Sequence, residues 1–171
     1  MYFDFVTFFI IVLAYLIPLY VSNSSPLLFH GKIPLDLNLK FNKKRLLGDG
    51  KSILGTLVGI IFGTCAGMIY FFISPINLVI PNYFVLAFLL ALGGVSGDII
   101  ESFFKRRIGI KRGEAWLGFD QTDFILGGLI MSLIFRIPEI EVVIFILILT
   151  LFAHPFSNWV AFKIKLKKVP W

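Results

Sequence analysis

Charge is scarce in this sequence. Only 15% of the 171 residues are Asp, Glu, Lys or Arg, against 58% hydrophobic residues and 20 phenylalanines. A soluble domain averages about 25% charged and about 45–50% apolar residues, so the chain departs from that norm in both directions. A mean hydropathy of +0.91 leaves too little polar surface to coat a water-soluble globule or to keep the chain disordered. Cysteine is almost absent: Cys65 alone cannot form an internal disulfide, which excludes a disulfide scaffold. The two histidines, His30 and His154, lie far apart with no Cys or carboxylate at zinc-ligand spacing, and both read as structural. Ser22, Ser24 and Ser25 lack a hydrolase elbow. The charges that remain are unbalanced, 16 cations against 10 anions, a net +6. In so apolar a chain this excess reads as membrane orientation, and nucleic-acid binding is not expected.

The composition is that of an integral membrane protein, and the charge-free runs divide it. No charge occurs from Phe5 to Gly31, from Ser52 to Gly97 (46 residues), from 124 to 135 or from 142 to 162. A helix crosses the hydrocarbon core with about 20 apolar residues, so the 46-residue run holds two helices. Ser74-Pro75-Ile76-Asn77 and Pro81-Asn82 supply the turn between them. The expected fold is all-α and polytopic, with spans near 3–21, 53–73, 82–103, 121–136 and 140–160. The fourth has a short apolar core and is expected to be a short helix shielded by its neighbours. The start Met-Tyr-Phe-Asp has neither a basic n-region nor a small-residue cleavage site, so the first span reads as a retained helix. No internal repeat is visible, and residues 1–171 read as one domain.

Five spans place fifteen of the sixteen cations on one side. Lys32, Lys40, Lys43, Lys44, Arg45 and Lys51 occupy the loop 23–51; Lys105, Arg106, Arg107, Lys111 and Arg112 occupy the loop 104–120. Lys163, Lys165, Lys167 and Lys168 occupy the tail, and only Arg136 falls opposite. Basic residues beside spans stay in the cytoplasm, so the expected N-terminus is outside, and the C-terminus and both long loops are cytoplasmic. The tail lysines read as headgroup anchors, and Trp116, Trp159 and Trp171 as an interfacial belt.

Two loop segments carry chemistry. Gly48-Asp49-Gly50-Lys51-Ser52 stands directly before a helix. Its glycines allow a tight turn and close approach to an anion, the helix N-terminus offers free N–H groups, and Lys51 adds a point charge. The spacing is not that of a P-loop, and an ordinary turn with anchoring charges is the alternative. The second segment runs from Gly97 to Asp123. Asp98, Ser102 and Lys105 share one helix face through i+4 and i+7 spacing, and Asp120 and Asp123 share a face at the next helix's start. Ionisable groups at membrane depth are costly and mark sites. Carboxylates converging from two helix ends among cations suit a divalent metal with polyphosphate. The plainer alternatives are an N-cap for Asp120, a dipole-favoured Asp123, and a helix-surface ion pair between Glu101 and Lys105.

The run Gly97-Asp98, Ser102, Lys105-Arg106, Lys111, Leu117-Gly118, Asp120-Gln121 and Asp123 resembles the C-terminal motif of the CTP-dependent phosphatidate cytidylyltransferases. Gln121 stands where that motif carries Arg, and the His-Gly-Gly before the Asp is missing. These departures and the short chain make it similar to the archaeal branch, the CDP-archaeol synthases. Pro18, Tyr20, Asn23, Pro26, Gly31, Pro34-Leu35-Asp36, Arg45 and Gly48 to Ser52 follow that branch's pattern in order. The resemblance implies transfer of CMP from CTP to an unsaturated archaeal ether-lipid phosphate with Mg2+. It further implies that Asp98, Asp120 and Asp123 are metal ligands and, with Lys105, the catalytic set. It gives Gly48, Asp49, Gly50, Lys51, Arg106 and Lys111 to the nucleotide, and Asn23 and Pro26 to the lipid. Two rivals stay open: another CTP-using membrane enzyme (a diacyl-lipid cytidylyltransferase or a polyprenol kinase), and a small transporter. The transporter calls for charges in mid-span or matching broken helices, and neither is seen.

Overall fold

The computed structural model describes residues 4–111, 114–116, 118–167 and 169. Arg112, Leu117, Lys168 and Trp171 of the reading above lie outside the described residues. The elements are α1 (Phe5–Leu28), β1 (Lys40–Phe41), β2 (Lys44–Arg45), α2 (Ile53–Ile73), α3 (Ile76–Val79), α4 (Tyr83–Ile108), α5 (Phe119–Ser132) and α6 (Ile140–Lys163). Helices α1, α2, α4 and α6 are long and apolar enough to cross a membrane. The 14 residues of α5 extend only about 21 Å, short of the ~30 Å core, and α5 packs chiefly against α4. The helical architecture matches the expectation, with two additions among the described residues: the short helix α3 within the expected turn, and a small antiparallel hairpin of β1 and β2.

Helix α1 runs well past its expected end through two prolines, Pro18 and Pro26. A proline removes the N–H that would serve the carbonyl four residues back, and in a membrane a neighbour must replace it. Pro18 leaves the Ala14 carbonyl free, and the buried Tyr83 hydroxyl donates to it at 2.6 Å. Tyr70 likewise donates to the Ile10 carbonyl at 2.9 Å. Ser22 and Ser24 turn their hydroxyls onto carbonyls one turn back, which keeps this polar stretch helical.

Close backbone approach fixes the bundle. On α2, Gly55, Gly59, Gly63 and Gly67 recur every four residues and all are buried. A Cβ at Gly63 would come within 2.7–2.8 Å of Ser22, Ala91 and the Pro18 carbonyl, so α2 nests between α1 and α4 only because that surface is bare. The core lies where α1, α4, α5 and α6 meet, around Tyr15, Leu19, Tyr83, Leu86, Leu90, Phe124 and Ile146. Large apolar side chains such as Leu57, Ile61, Phe72 and Phe152 stay exposed on α2 and α6, as lipid-facing surfaces require.

Candidate active site

The loop between α1 and α2 is folded around one carboxylate. The Asp36 side chain is fully buried and accepts from Arg45 Nη2 (2.6 Å) and Nε (3.1 Å) and from the N–H groups of Asn38, Leu47 and Gly48. The Arg45 guanidinium beside it holds its carboxyl well below the usual carboxylate range. Arg45 also reaches the exposed Asp49 at 3.0 Å. The loop's base is closed by Leu35 N–H on the Lys51 carbonyl (2.8 Å) and Ile53 N–H on the Ile33 carbonyl (3.1 Å). Ser52 caps α2 by accepting from Gly55 N–H, and it accepts from Gly31 N–H as well.

Helix α4 carries this loop. Arg107 donates to the carbonyls of Phe41 (2.8 Å), Arg45 (2.7 Å) and Leu46 (3.3 Å), and its guanidinium lies 4.7 Å from the Phe103 ring centroid. The two long loops therefore share one end of the bundle. Gly48, at a φ of 81°, makes the turn that leads through residues 48–51 into α2.

Beneath the loop lies a cavity of about 640 Å³. Asn23 and Pro26 of α1, Gly48, Asp49, Gly50 and Lys51 of the loop, Asp98, Lys105 and Arg106 of α4, and Asp120 and Asp123 of α5 all line it. Lys111 does not: past the left-handed Gly109 cap of α4 the chain turns away, and Lys111 is exposed, with its N–H on Glu114. Four further groups were not foreseen. Glu101 is buried and lines the cavity, and His154, Asn158 and Lys167 reach it from α6 and the turn beyond. A signal for the α6 pair existed: His154, Ser157 and Asn158 sit at i, i+3 and i+4 in an otherwise apolar span.

The charges fall into groups. Lys51 Nζ lies 2.5 Å from Asp98. Lys105 Nζ is held by both oxygens of Asp120 (2.8 and 2.9 Å) and by Glu101 (3.2 Å). The Glu101–Lys105 pair expected on the helix surface exists, but both partners are buried. Asp120 also accepts from Trp116 N–H at 3.0 Å, tying the preceding loop to α5, while Gly118 occupies the N-cap position. Oxygens of Asp98, Glu101 and Asp123 lie within 4.8 Å of one another, a spacing one cation can bridge. The structure thus groups Glu101, rather than Asp120, with Asp98 and Asp123. Arg106 forms no ion pair among the described residues, and its buried Nε has no hydrogen-bond partner. Such an orphaned donor suits an anionic guest.

A family model, CarS-like CDP-archaeol synthase, matches residues 5–171. The chain is 35% identical to the CDP-archaeol synthase of Methanocaldococcus jannaschii over 166 residues, covering 92% of this chain and 94% of that one. It is 37% identical to the CDP-archaeol synthase of Sulfolobus acidocaldarius over 161 residues, covering 93% and 96%. A solved structure of an intramembrane enzyme for archaeal membrane lipids biosynthesis superposes with a TM-score of 0.75 at 33% identity, over 85% of this chain and 91% of that one. By sequence along nearly its whole length, and by fold, the chain belongs to the CDP-archaeol synthase family.

Proposed function

We propose that this protein transfers CMP from CTP to the phosphate of an unsaturated archaeal ether lipid, 2,3-bis-O-geranylgeranyl-sn-glycerol 1-phosphate, yielding CDP-archaeol and pyrophosphate. The observation that carries the reading is the single cavity in which a glycine-rich loop, cations and clustered carboxylates meet α1 residues of the membrane bundle. A lipid phosphate oxygen attacks the α-phosphorus of CTP, and the bond from that phosphorus to the bridging oxygen of the β-phosphate breaks. The nucleophile is already anionic, so no strong general base is needed. The barrier lies in bringing two anions together and in releasing pyrophosphate.

The chain's own groups meet that demand. Residues 48–51 form the nucleotide loop, and Lys51 and Arg106 hold phosphate oxygens. Lys105, gripped by Asp120 and Glu101, stays fixed beside the reacting phosphates. Asn23 and Pro26 line the lipid's approach. Asp98, Glu101 and Asp123 fit a hard divalent cation by donor type and spacing, and we assign them to Mg2+, with Asp120 holding Lys105. When bound, Mg2+ supplies charge neutralisation for the triphosphate. The proposed topology has the N-terminus outside and the cavity, both long loops and the C-terminus facing the cytoplasm, where CTP is made. The supporting pattern is the basic character of the loop-bearing end.

The test supplies purified protein with CTP, Mg2+ and either the ether-lipid phosphate or a diacyl phosphatidate. The reading expects CDP-lipid and pyrophosphate with the ether lipid. Equal or faster turnover of the diacyl lipid would move the assignment to a general phosphatidate cytidylyltransferase.

A further inference from the structure

Of the four lysine and arginine side chains that line the cavity, two are already answered by carboxylates, and Arg106 and Lys167 are not. Lys51 is paired with Asp98, and Lys105 with Asp120 and Glu101. Lys167 differs from both paired lysines. It is half-buried, it lines the cavity, and its ammonium donates at 3.0 Å to a neutral group, the side-chain oxygen of Asn158. Among the described residues it forms no ion pair. Burial pulls its pKa below the ordinary lysine range, against the opposing pull of the Asp120 and Asp98 carboxylates across the cavity.

The backbone directs this side chain inward. After α6 ends at Lys163, Lys165 takes a left-handed φ of 63°, and the N–H groups of Leu166 and Lys167 both return to the Ala161 carbonyl, at 2.8 and 3.2 Å. That turn folds the segment against the helix end and aims Lys167 at Asn158, nine positions earlier. The neighbouring cations behave otherwise: Lys163 and Lys165 are exposed, and Lys163 lies 5.5 Å from the Trp159 ring centroid, as membrane anchors do. Among the described residues, the tail is divided between two lysines that face outward and one that faces the site.

We propose that Lys167 and Asn158 form an anion subsite of the cavity, in which the Lys167 ammonium binds a phosphate oxygen of one of the two substrates while Asn158 holds it in place. The proposal rests on the function given above for the identity of those substrates. A neutral partner is what such a role requires, because Asn158 positions the ammonium without cancelling its charge. The unpaired cation then offsets the repulsion between the attacking phosphate and the triphosphate.

The experiment measures steady-state kinetics in non-ionic detergent, varying CTP and lipid phosphate separately, for wild type, Lys167→Ala, Lys167→Arg and Lys165→Ala. The expected result for Lys167→Ala is a rise of about tenfold or more in one substrate's KM, with a smaller change in kcat and an unchanged Tm. The substrate affected identifies the phosphate: CTP or lipid. Lys167→Arg should recover much of the loss, and Lys165→Ala should match wild type. If Lys167→Ala and Lys165→Ala are alike in both KM values, the subsite is overturned. If the wild-type protein forms no CDP-lipid at all, the function reading fails separately. The subsite is then decided by thermal stabilisation with inorganic pyrophosphate, which must weaken in Lys167→Ala and not in Lys165→Ala.

Discussion

The carbonyl oxygen of Asp123 rests against Gly97, in the space that a Cβ at position 97 would fill. The first turns of α5 therefore cross α4 at backbone contact, and a second contact, Gly93 against Gly127, continues the crossing one turn on. This approach brings the carboxylates of Asp98 and Asp123 from separate helices to within reach of one cation.

Gly97→Ala should accordingly push α5 away from α4 and open the acidic cluster. The neighbour is backbone, which cannot rotate aside as a side chain can. We expect activity to fall by about 100-fold, in line with losing a positioned electrostatic group, along with a lower Tm. Gly97→Ala with wild-type turnover in a CDP-lipid assay would show that the crossing does not hold the site together.

Isosteric carboxylate-to-amide changes separate the roles assigned to the acids. Asp98→Asn and Asp123→Asn should each cost about 100-fold in turnover and raise the Mg2+ concentration needed for half-maximal rate. Glu101→Gln should raise that Mg2+ requirement too, because it shares the cluster. Asp120→Asn should lower turnover with little change in Mg2+ requirement, since its partner is Lys105. A metal titration of the four variants checks this contrast. An Mg2+ shift in Asp120→Asn but none in Glu101→Gln would return the metal to the set implied by the sequence motif.

The Asp36–Arg45 pair predicts how the first loop responds to acid. The folded-state pKa of Asp36 is depressed below the ordinary 3.8, so the folded loop binds fewer protons than the unfolded one. Its stabilising contribution is complete above about pH 5, and is lost as pH falls through 3.8 toward the depressed value. Asp36→Asn should weaken CTP binding by about tenfold at neutral pH, because Leu47 and Gly48 lose the ion that orders them. Limited proteolysis within residues 34–51 as a function of pH reports on the loop: cleavage should rise below pH 4 in wild type and be rapid at all pH values in Asp36→Asn.

Topology can be read by cysteine labelling in a Cys65→Ser background. Asn77 in α3 is exposed, whereas the adjacent Ile76 is buried, so Asn77→Cys is the useful probe of the end opposite the loops. Asn77→Cys should label from outside intact cells, and Asp49→Cys only after permeabilisation. The reverse pattern would invert the protein and place the cavity outside.

The spans were legible because a membrane enforces long apolar helices, and a charge-free run reports them directly. The shortness of α5 was visible for the same reason. The site's two segments were legible because charges beside spans are conspicuous, and because helical spacing aligns Asp98, Ser102 and Lys105 on one face. Contacts between distant segments were not. Spacing alone gives the four glycines of α2 a common face, but not the prolines and serine of α1 that they meet. The i+4 rule pairs Glu101 with Lys105, yet it says nothing of burial, which is decided by α5 folding over them. Lys167 reads as one more tail lysine until a left-handed turn at Lys165 sends it back to Asn158. Lys111 belongs to the motif in sequence, but the Gly109 cap carries it out of the cavity.

The most direct test of the central claim follows the fate of label from CTP. Purified protein is incubated with Mg2+, the unsaturated ether-lipid phosphate and CTP labelled at either the α- or the γ-phosphate, and the lipid is extracted. Phosphorus from the α-position should appear in the lipid, while γ-label leaves as pyrophosphate. Transfer of γ-label to the lipid with release of CDP would contradict the account and identify a CTP-dependent kinase.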